Sequence, residues 1–271
     1  MRRLVIVSLS LLILSQLAIP ARANSKAGWI MKCEFSHRLK DDPIVFAGQP
    51  GASHLHDFYG NKSTDANSTL SSLLKAGTTC ALKGDTAAYW APTLIRNGHK
   101  IRPNHADFYY RNRTSPRWAV RPFPSGLSIV AGNSHATRPQ PIEIVYWGCG
   151  SETIQKKPTD CGSSELVTAH IKFPDCWDGE HLDSWNHKRH MAYSVERDDD
   201  TYHCPKSHPI PVPRLTFRLE WPIHNGEHVR LSSGPFYTLH ADFFNSWNQR
   251  VLLRLVRRCI RHNTDCGSPE D

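Results

Sequence analysis

Apolar and polar side chains alternate in the stretch Leu215-Thr216-Phe217-Arg218-Leu219-Glu220-Trp221. A period of two with aromatic and β-branched residues is typical of a strand that buries one face. Comparable runs, separated by turn residues, occur at 87–95, 107–111, 127–131, 142–147, 167–173 and 228–232. The sequence therefore predicts an all-β fold, an antiparallel two-sheet sandwich of jelly-roll-like type.

Two segments have helical patterns instead. Residues 246–260 carry an apolar stripe at helical spacing, with Asn245 or Ser246 as the expected cap. The stripe consists of Leu252, Leu255, Val256 and Cys259. A shorter helix is predicted around residues 65–74. We expect both helices to lie at the periphery of the sandwich.

The first residues have the pattern of a secretory signal. Two arginines precede an apolar run, which ends in the small residues of Pro20-Ala21-Arg22-Ala23. The run is shorter than the roughly 20 residues that a membrane span needs. We therefore expect a signal peptide over 1–23 and a mature chain, 24–271, that is exported, extracellular or periplasmic, and has no membrane span.

The mature chain is expected to be a single domain and a monomer. The formal net charge is +8, of which the expected signal carries three arginines. The remaining mild positive charge suits acidic glycans, and ordinary solubility explains it equally well. A Lys/Arg stripe interleaved with aromatics is missing from the sequence, which argues against a nucleic-acid partner.

Eight cysteines follow the expected signal, and an exported chain with an even number of cysteines predicts up to four disulfides. Short separations favour pairing between sequence neighbours. The predicted pairs are Cys33–Cys80, Cys149–Cys161, Cys176–Cys204 and Cys259–Cys266. A zinc cluster of cysteines is disfavoured because the sequence contains no C-x-x-C pair.

Histidines and carboxylates are concentrated in three distant segments. The first is DDPIVFAGQPGASHLHDFYGN at 41–61, the second is Tyr237-Thr238-Leu239-His240-Ala241-Asp242-Phe243-Phe244-Asn245, and the third is the polar run at 177–190. This density of titratable groups exceeds what folding requires. We expect the three segments to converge on one pocket.

The same blocks resemble a known family, the secreted DUF1996 proteins. The resemblance extends over nearly the whole mature chain. It is carried by the 41–61 block and by Cys33-Glu34-Phe35-Ser36-His37, Tyr89-Trp90-Ala91-Pro92-Thr93-Leu94, Phe173-Pro174-Asp175-Cys176-Trp177-Asp178-Gly179, Leu182-Asp183-Ser184, His187 with His190-Met191-Ala192-Tyr193, and Leu231-Ser232-Ser233-Gly234 through His240-Ala241-Asp242-Phe243. Ala47 stands where relatives often carry proline. The resemblance implies export but no assigned activity.

A metal site is one hypothesis for these histidines. In His54-Leu55-His56 the two imidazoles point to the same side if the segment is extended. His240 or Asp242 can supply a third ligand for a divalent metal, zinc or copper. The candidate metal ligands are His54, His56, His190 and His240.

Acid-base chemistry without a metal is the second hypothesis. His56 or His240 can act as a general base, oriented by Asp57 or Asp242. Cleavage of a glycosidic bond needs two carboxyl groups, for which Asp41, Asp42, Asp57, Asp183 and Asp242 are available. The candidate catalytic residues are His56, Asp57, His240, Asp242 and Asp183.

The third segment also suggests contacts to a sugar, because tryptophan beside acids and amides can stack on sugar rings. Trp177 is expected to pack on a neighbouring disulfide instead. The candidate substrate-binding residues are Asp41, Asp42, Trp185, His187 and Tyr237.

Three functions remain open at this point. The first is a protein that binds or cleaves extracellular or cell-wall polysaccharide, as a hydrolase or lyase with His/Asp chemistry. The second is an extracellular metal-binding protein without turnover. The third is a structural envelope protein whose His/Asp turns serve folding. Serine-nucleophile and phosphate-loop motifs are missing from the sequence.

Overall fold

The computed structural model describes residues 27–150 and 153–271. The expected signal peptide lies outside the described residues. The strands are β1 Gly28–Cys33, β2 Phe35–Leu39, β3 His56–Gly60, β4 Ala88–Pro92, β5 Leu94–Arg96, β6 His99–Ile101, β7 His105–Arg111, β8 Ser128–Gly132, β9 Val145–Cys149, β10 Val167–Lys172, β11 Cys176–Trp177, β12 Met191–Ala192, β13 Val195–Glu196, β14 Tyr202–His203, β15 Ile210–Pro211, β16 Arg214–Glu220, β17 Val229–Leu231, β18 Gly234–Pro235 and β19 His240–Phe244. The helices are α1 Leu70–Lys75 and α2 Gln249–Leu255, which a π-helix, Val256–Arg261, continues. Arg117–Ala119 and Phe236–Thr238 are single 3₁₀ turns.

Two five-stranded antiparallel sheets form the framework. The first sheet has the order β1-β7-β16-β10-β9 and the second has the order β2-β3-β4-β19-β8. The predicted all-β, antiparallel two-sheet architecture is confirmed. Three smaller sheets, β12-β11-β15, β13-β14 and β18-β17-β5-β6, extend it.

Aromatic rings fill the space between the two main sheets. Tyr89 of the second sheet stacks on Phe108 of the first with ring centroids 4.0 Å apart. Phe217 meets Phe108 edge-on at 4.6 Å, and Phe243 lies 5.3 Å from Tyr89. Phe217 comes from the alternating stretch of β16, whose apolar positions are all buried. The period of two therefore aims this face at the core.

The second sheet is buried on its outer face as well. Ile44, Phe58, Leu73, Ala88 and Trp90 form a separate apolar cluster there. Leu73 is the buried residue of α1, so this short helix and the segment before β3 cover the sheet. The candidate site lies on this covered face.

The C-terminal helix begins later than the sequence predicted. Its N-cap is Asn248, whose side chain accepts hydrogen bonds from the backbone N–H groups of Arg250 and Val251. Asn245 instead donates to the carbonyl oxygens of Phe123 and Pro124. Asn245 and Ser246 were therefore wrong as caps, because tertiary contacts occupy the amide of Asn245.

All four predicted disulfides are confirmed: Cys33–Cys80, Cys149–Cys161, Cys176–Cys204 and Cys259–Cys266. No cysteine of the described residues is free. The bridges join cysteines that are 7 to 47 residues apart in sequence, and they attach local loops to the sandwich. None of the helices in the described ranges is long and apolar enough to cross a membrane.

Candidate functional site

Strand register brings His56, His240 and Asp242 to one face of the second sheet. His240 and Asp242 are two residues apart on β19, so both side chains point to the outer face. Strand β4 lies between β3 and β19, and its Pro92 is the partner of His56. The imidazoles of His56 and His240 therefore lie on the same face of the sheet, on either side of β4, with ring centroids 5.7 Å apart.

The segment 41–55 folds over this face and supplies His54 and Asp42. Two carboxylates fasten its turns: Asp41 accepts hydrogen bonds from the N–H groups of Gly51 and Ala66, at 2.9 and 3.1 Å. Asp42 Oδ1 accepts from the N–H groups that follow it, at 2.9 and 3.0 Å. These hydrogen bonds fix the turns of the segment 41–55. The segment in turn places the His54 ring against the second sheet.

The three imidazoles form a compact cluster. The Nε2 atoms of His54 and His240 lie 3.1 Å apart. The ring centroid of His56 lies 4.2 Å from that of His54 and 5.7 Å from that of His240. One ring nitrogen from each histidine lies within 4.8 Å of the other two, and the same limit holds for Asp42, His56 and Asp242.

Backbone carbonyls set the orientation of two of the rings. His56 Nδ1 faces the carbonyl oxygen of Asp41 at 2.9 Å, and His240 Nδ1 faces that of Thr238 at 2.8 Å. A carbonyl only accepts, so each Nδ1 carries the proton and donates. In the neutral ring the lone pair is then on Nε2. Both Nε2 atoms are therefore acceptors or metal ligands.

Three buried atoms of the cluster have no hydrogen-bond partner within the described ranges. They are His56 Nε2 and both carboxyl oxygens of Asp242. An unpartnered buried polar group costs about 1–3 kcal/mol, and native proteins contain few of them. His56 and Asp242 share the cluster with Asp42, so these three atoms lie in one place, where a single ligand can reach them.

Burial keeps the imidazoles neutral. It lowers the pKa of His54 to about 4, and the charge of His135 adds to the shift. It lowers the pKa of His240 to about 3, with His54 as the next cause. The pKa of His56 is well below its usual value for the same reasons. Near neutral pH all three rings are in the form that binds metals.

The acids of the cluster are shifted in the opposite sense. Burial raises the pKa of Asp242 well above its usual value, and the neighbouring charge of Asp42 raises it further. Burial also raises the pKa of Asp42, against the two backbone hydrogen bonds that it accepts. Lys188 opposes the shift on Asp242. The cluster thus combines neutral imidazoles, which can bind a metal, with two carboxyl groups that ionise less readily than usual. A nearby cation favours the ionised form of these carboxyl groups.

A cavity of about 290 Å³ leads to the cluster. His54, His240, Asp42 and Asp242 line it together with Ser134, His135, Ser232 and Ser233. The Lys188 ammonium donates to the carbonyl oxygen of Gly132 beside it. Gly132 has a φ of 77°, and a Cβ there would lie 2.7 Å from the carbonyl oxygen of Leu239. Only glycine lets β8 pass so close to His240.

Asp57 does not face this cavity, contrary to its predicted catalytic role with His56. Adjacent residues of a strand point to opposite sides of the sheet, so Asp57 leaves the His56 face. Its carboxylate accepts hydrogen bonds from Arg38 and from the Thr93 hydroxyl, the latter at 2.7 Å. Asp57 therefore connects β3 to Arg38 of β2 and to Thr93, which follows β4.

The predicted convergence of the third segment is wrong for Asp183 and His190. Asp183 is exposed and accepts a hydrogen bond from His187 Nδ1 at 2.9 Å. His190 is buried, but Ser184 Oγ and the carbonyl oxygen of Ser128 occupy its two ring nitrogens, at 3.0 and 2.7 Å. His190 is therefore outside the histidine cluster. Two other residues of this segment act on the cluster through their charge, Lys188 on Asp242 and His187 on Asp42.

The predicted substrate-binding residues are divided between different places. Asp42 lines the cavity, whereas Asp41 is occupied by the turn that it fastens. Trp185 is 81% exposed beside a separate groove. Tyr237 lies in the 3₁₀ turn before β19, with its ring against Phe236, and is outside the cavity lining.

Sequence reasoning missed two residues near the cluster. Lys188 has no motif around it beyond the His-rich run, and nothing in the run distinguishes it from the exposed residues beside it. His135 lines the cavity from the loop after β8. A single histidine in a polar loop carries no signal of its own.

Comparison with protein families, curated proteins and solved structures gives one positive result. The family model described as a domain of unknown function (DUF1996) matches residues 42–247, which include the whole histidine cluster. No curated protein and no solved structure matches the chain. Because the match covers most of the sequence, the chain belongs to the DUF1996 family.

Proposed function

We propose that His54, His56 and His240 bind one divalent transition metal, zinc or copper, in an extracellular protein. The observation that carries this proposal is the convergence of three neutral imidazoles on the place where buried polar atoms have no partner. Imidazole nitrogen is a preferred donor for both metals. The four disulfides accord with an oxidising, extracellular location.

The distances suit a metal. Two zinc–nitrogen bonds of about 2.0–2.1 Å at a tetrahedral angle place their nitrogens about 3.3 Å apart. The observed separation between His54 Nε2 and His240 Nε2 is 3.1 Å. A hydrogen bond between these two rings has the same length. It leaves His56 Nε2 unpartnered, however, and a shared cation satisfies all three rings.

Asp242 is the acidic partner of the proposed centre. Its carboxyl group lies within 4.8 Å of a ring nitrogen of His56, and burial raises its pKa well above the usual value. A divalent cation nearby favours the carboxylate, so binding and ionisation are coupled. Three protein ligands leave a coordination position open, which is the arrangement of catalytic rather than structural zinc sites. The 290 Å³ cavity gives small molecules a path to this position.

Metal analysis of the purified, tag-free protein tests the proposal. After chelation and reloading with Zn²⁺ or Cu²⁺, we expect about one metal per chain. His54→Gln, His56→Gln and His240→Gln should each lose the metal while remaining folded by circular dichroism. The matched control is His170→Gln, because His170 is also buried, with its pKa lowered to about 3, but lies outside the cluster. Trace metal in the wild type, or equal loss in the control, refutes the metal centre.

Polysaccharide binding is a second candidate function, and one observation favours it. Trp185 is 81% exposed at a groove of about 430 Å³. Polar groups of Asp178, His181, Arg189 and His208 line the same groove. An exposed indole beside hydrogen-bonding groups suits a sugar ring, whose faces are apolar and whose edges are polar. Retention on neutral and acidic glycans should fall in Trp185→Ala.

The control for that experiment is Trp118→Ala. Trp118 is 70% exposed and lines none of the grooves described here. Equal loss in both variants indicates non-specific adsorption, and no retention on any glycan removes the candidate. Release of new reducing ends in the same panel separates cleavage from binding.

A further inference from the structure

The outer side of the C-terminal helices forms a groove of about 580 Å³ that is lined by arginine. The arginines are Arg250, Arg254, Arg257 and Arg258, and Leu253, His262 and Thr264 complete the groove. All four arginines are exposed. The opposite side of the same helices is buried and carries Leu252, Leu255, Val256, Cys259 and Ile260. Because the apolar side packs against the core, the arginine side of the helices faces solvent.

The four guanidinium groups have no carboxylate partner in the described part of the chain. Residues 243–264 contain no Asp or Glu. Elsewhere in the structure buried arginines are paired, as Arg38 is with Asp57 and Arg218 with Asp107. The groove thus concentrates positive charge that the protein itself leaves uncompensated.

This arrangement works against the stability of the helix. Arg250 and Arg254, and Arg254 and Arg258, are i,i+4 neighbours, and like charges at this spacing are destabilising. Arg250 also lies in the first turn of α2, where the helix dipole disfavours a cation. The dipole favours Arg254 and Arg258, which lie in the last turns of the two helical segments, but it explains neither Arg250 nor the placement of like charges four residues apart. An anionic ligand explains the set, because all four arginines attract it and its charge offsets the repulsion between them.

We propose that this groove binds an acidic polysaccharide through Arg250, Arg254, Arg257 and Arg258. Guanidinium groups form bidentate, charge-assisted hydrogen bonds with carboxylate and sulfate oxygens. Arginines one or two helical turns apart present such groups about 6 and 10 Å apart along the axis, at 1.5 Å per residue. A row of charges at these intervals suits a polymer with acidic groups on successive sugars.

Two other polyanions fit the groove less well. Single-stranded nucleic acid is held by successive bases stacked on aromatic rings, and the groove lining contains no Phe, Tyr or Trp and a single imidazole, that of His262. Insertion into a membrane surface requires the apolar face of an amphipathic helix, and here that face is buried in the core, so only electrostatic adsorption to anionic lipid remains, which the vesicle measurement below tests. Leu253 is the single apolar residue of the groove lining.

The groove shares no residue with the histidine cluster, so the inference does not depend on the proposed metal. Binding of heparin and polygalacturonate to the full protein, with and without prior chelation, tests it. The test variant is Arg254→Gln/Arg257→Gln/Arg258→Gln. The control with the same charge change is Lys100→Gln/Lys156→Gln/Lys157→Gln, three exposed lysines without ion pairs.

We expect the arginine variant to bind at least about tenfold more weakly to one or both polymers. The slope of log affinity against log salt should fall by about three, because each neutralised contact no longer releases a counterion. If the triple variant is unfolded by circular dichroism, Arg257→Gln/Arg258→Gln takes its place, with an expected slope change of about two. Equal loss in the lysine control overturns the site. So does equal or tighter binding of duplex DNA or anionic vesicles, or no binding to either polysaccharide.

Discussion

The Nε2 atoms of His54 and His240 lie 3.1 Å apart, although 186 residues separate the two histidines in sequence. Because His240 Nδ1 donates to the Thr238 carbonyl, its Nε2 can only accept. In the metal-free protein His54 must therefore donate through Nε2. The same pair connects the segment 41–55 to β19. Contact between the two rings therefore requires that this segment is folded over the second sheet.

Metal affinity should persist into the acid range. Protons compete with a metal for imidazole only below its pKa, which is ordinarily near 6.5. Burial lowers the pKa of His54 to about 4 and that of His240 to about 3. We expect the affinity for Zn²⁺ at pH 5.5 to be no more than about thirtyfold below its value at pH 7, which is the loss that release of one proton from Asp242 causes over 1.5 pH units. Calorimetric titration at both pH values measures it, and a collapse between pH 7 and 6 contradicts neutral ligands.

Metal binding should release a proton from Asp242. Its pKa is well above the usual value in the metal-free protein, so a nearby divalent cation converts it to the carboxylate. Calorimetry near neutral pH in buffers of different ionisation enthalpy counts the protons. In Asp242→Asn we expect proton release to fall by up to about one per metal and affinity to fall about tenfold or more. Unchanged proton release in this variant shows that Asp242 is not coupled to the metal.

Acid should destabilise the metal-free protein through its buried histidines. The folded-state pKa of His240 is about 3, below the unfolded value of 6.5. Its contribution is therefore intact above pH 6.5 and is lost as pH falls toward 3, because the unfolded chain binds the extra proton. Replacing His240 by Gln should make the slope of unfolding free energy against pH shallower by up to about 1.4 kcal/mol per pH unit between pH 6 and 4.

His170→Gln should flatten that slope similarly, since the pKa of His170 is also lowered to about 3. Urea unfolding of the chelated proteins at several pH values gives the slopes. The two variants should differ only in metal binding. A slope in His240→Gln that equals the wild type contradicts a buried neutral imidazole.

Arg38→Ala should destabilise the fold and leave metal binding intact. Arg38 compensates Asp57, which is buried on the side of β3 away from His56. Removing the partner of a buried carboxylate costs about 3 kcal/mol, somewhat less where water reaches the site. Urea unfolding and metal analysis of the same preparation separate the two effects. Loss of metal from a folded Arg38→Ala protein contradicts the structural role of Asp57.

Local patterns predicted most of the framework but missed β1, β2, β3 and β19. β16 has an apolar alternation, and the disulfides join sequence neighbours, so both could be read from short windows. β3 and β19 were not among the predicted strands. All five residues of β3 are buried, including His56 and Asp57, because a covering segment hides its outer face. No period of two survives in such a strand.

The candidate site was also predicted only in part. His54, His56, His240 and Asp242 were expected together: register places His56, His240 and Asp242 on one sheet face, and the segment 41–55 brings His54 to them. Asp57 was misplaced although strand alternation already separates neighbours by face. Asp183, His190 and Lys188 belong to an irregular segment, whose path depends on long-range contacts that carry no sequence period.

The Cys176–Cys204 bridge closes the loop that contains Lys188 and Trp185. This loop supplies most of the lining of the Trp185 groove and none of the lining of the cavity at the histidine cluster. Reduction of this one bridge should therefore loosen the groove and spare the cluster, so that the two candidate binding places respond differently to reducing agents.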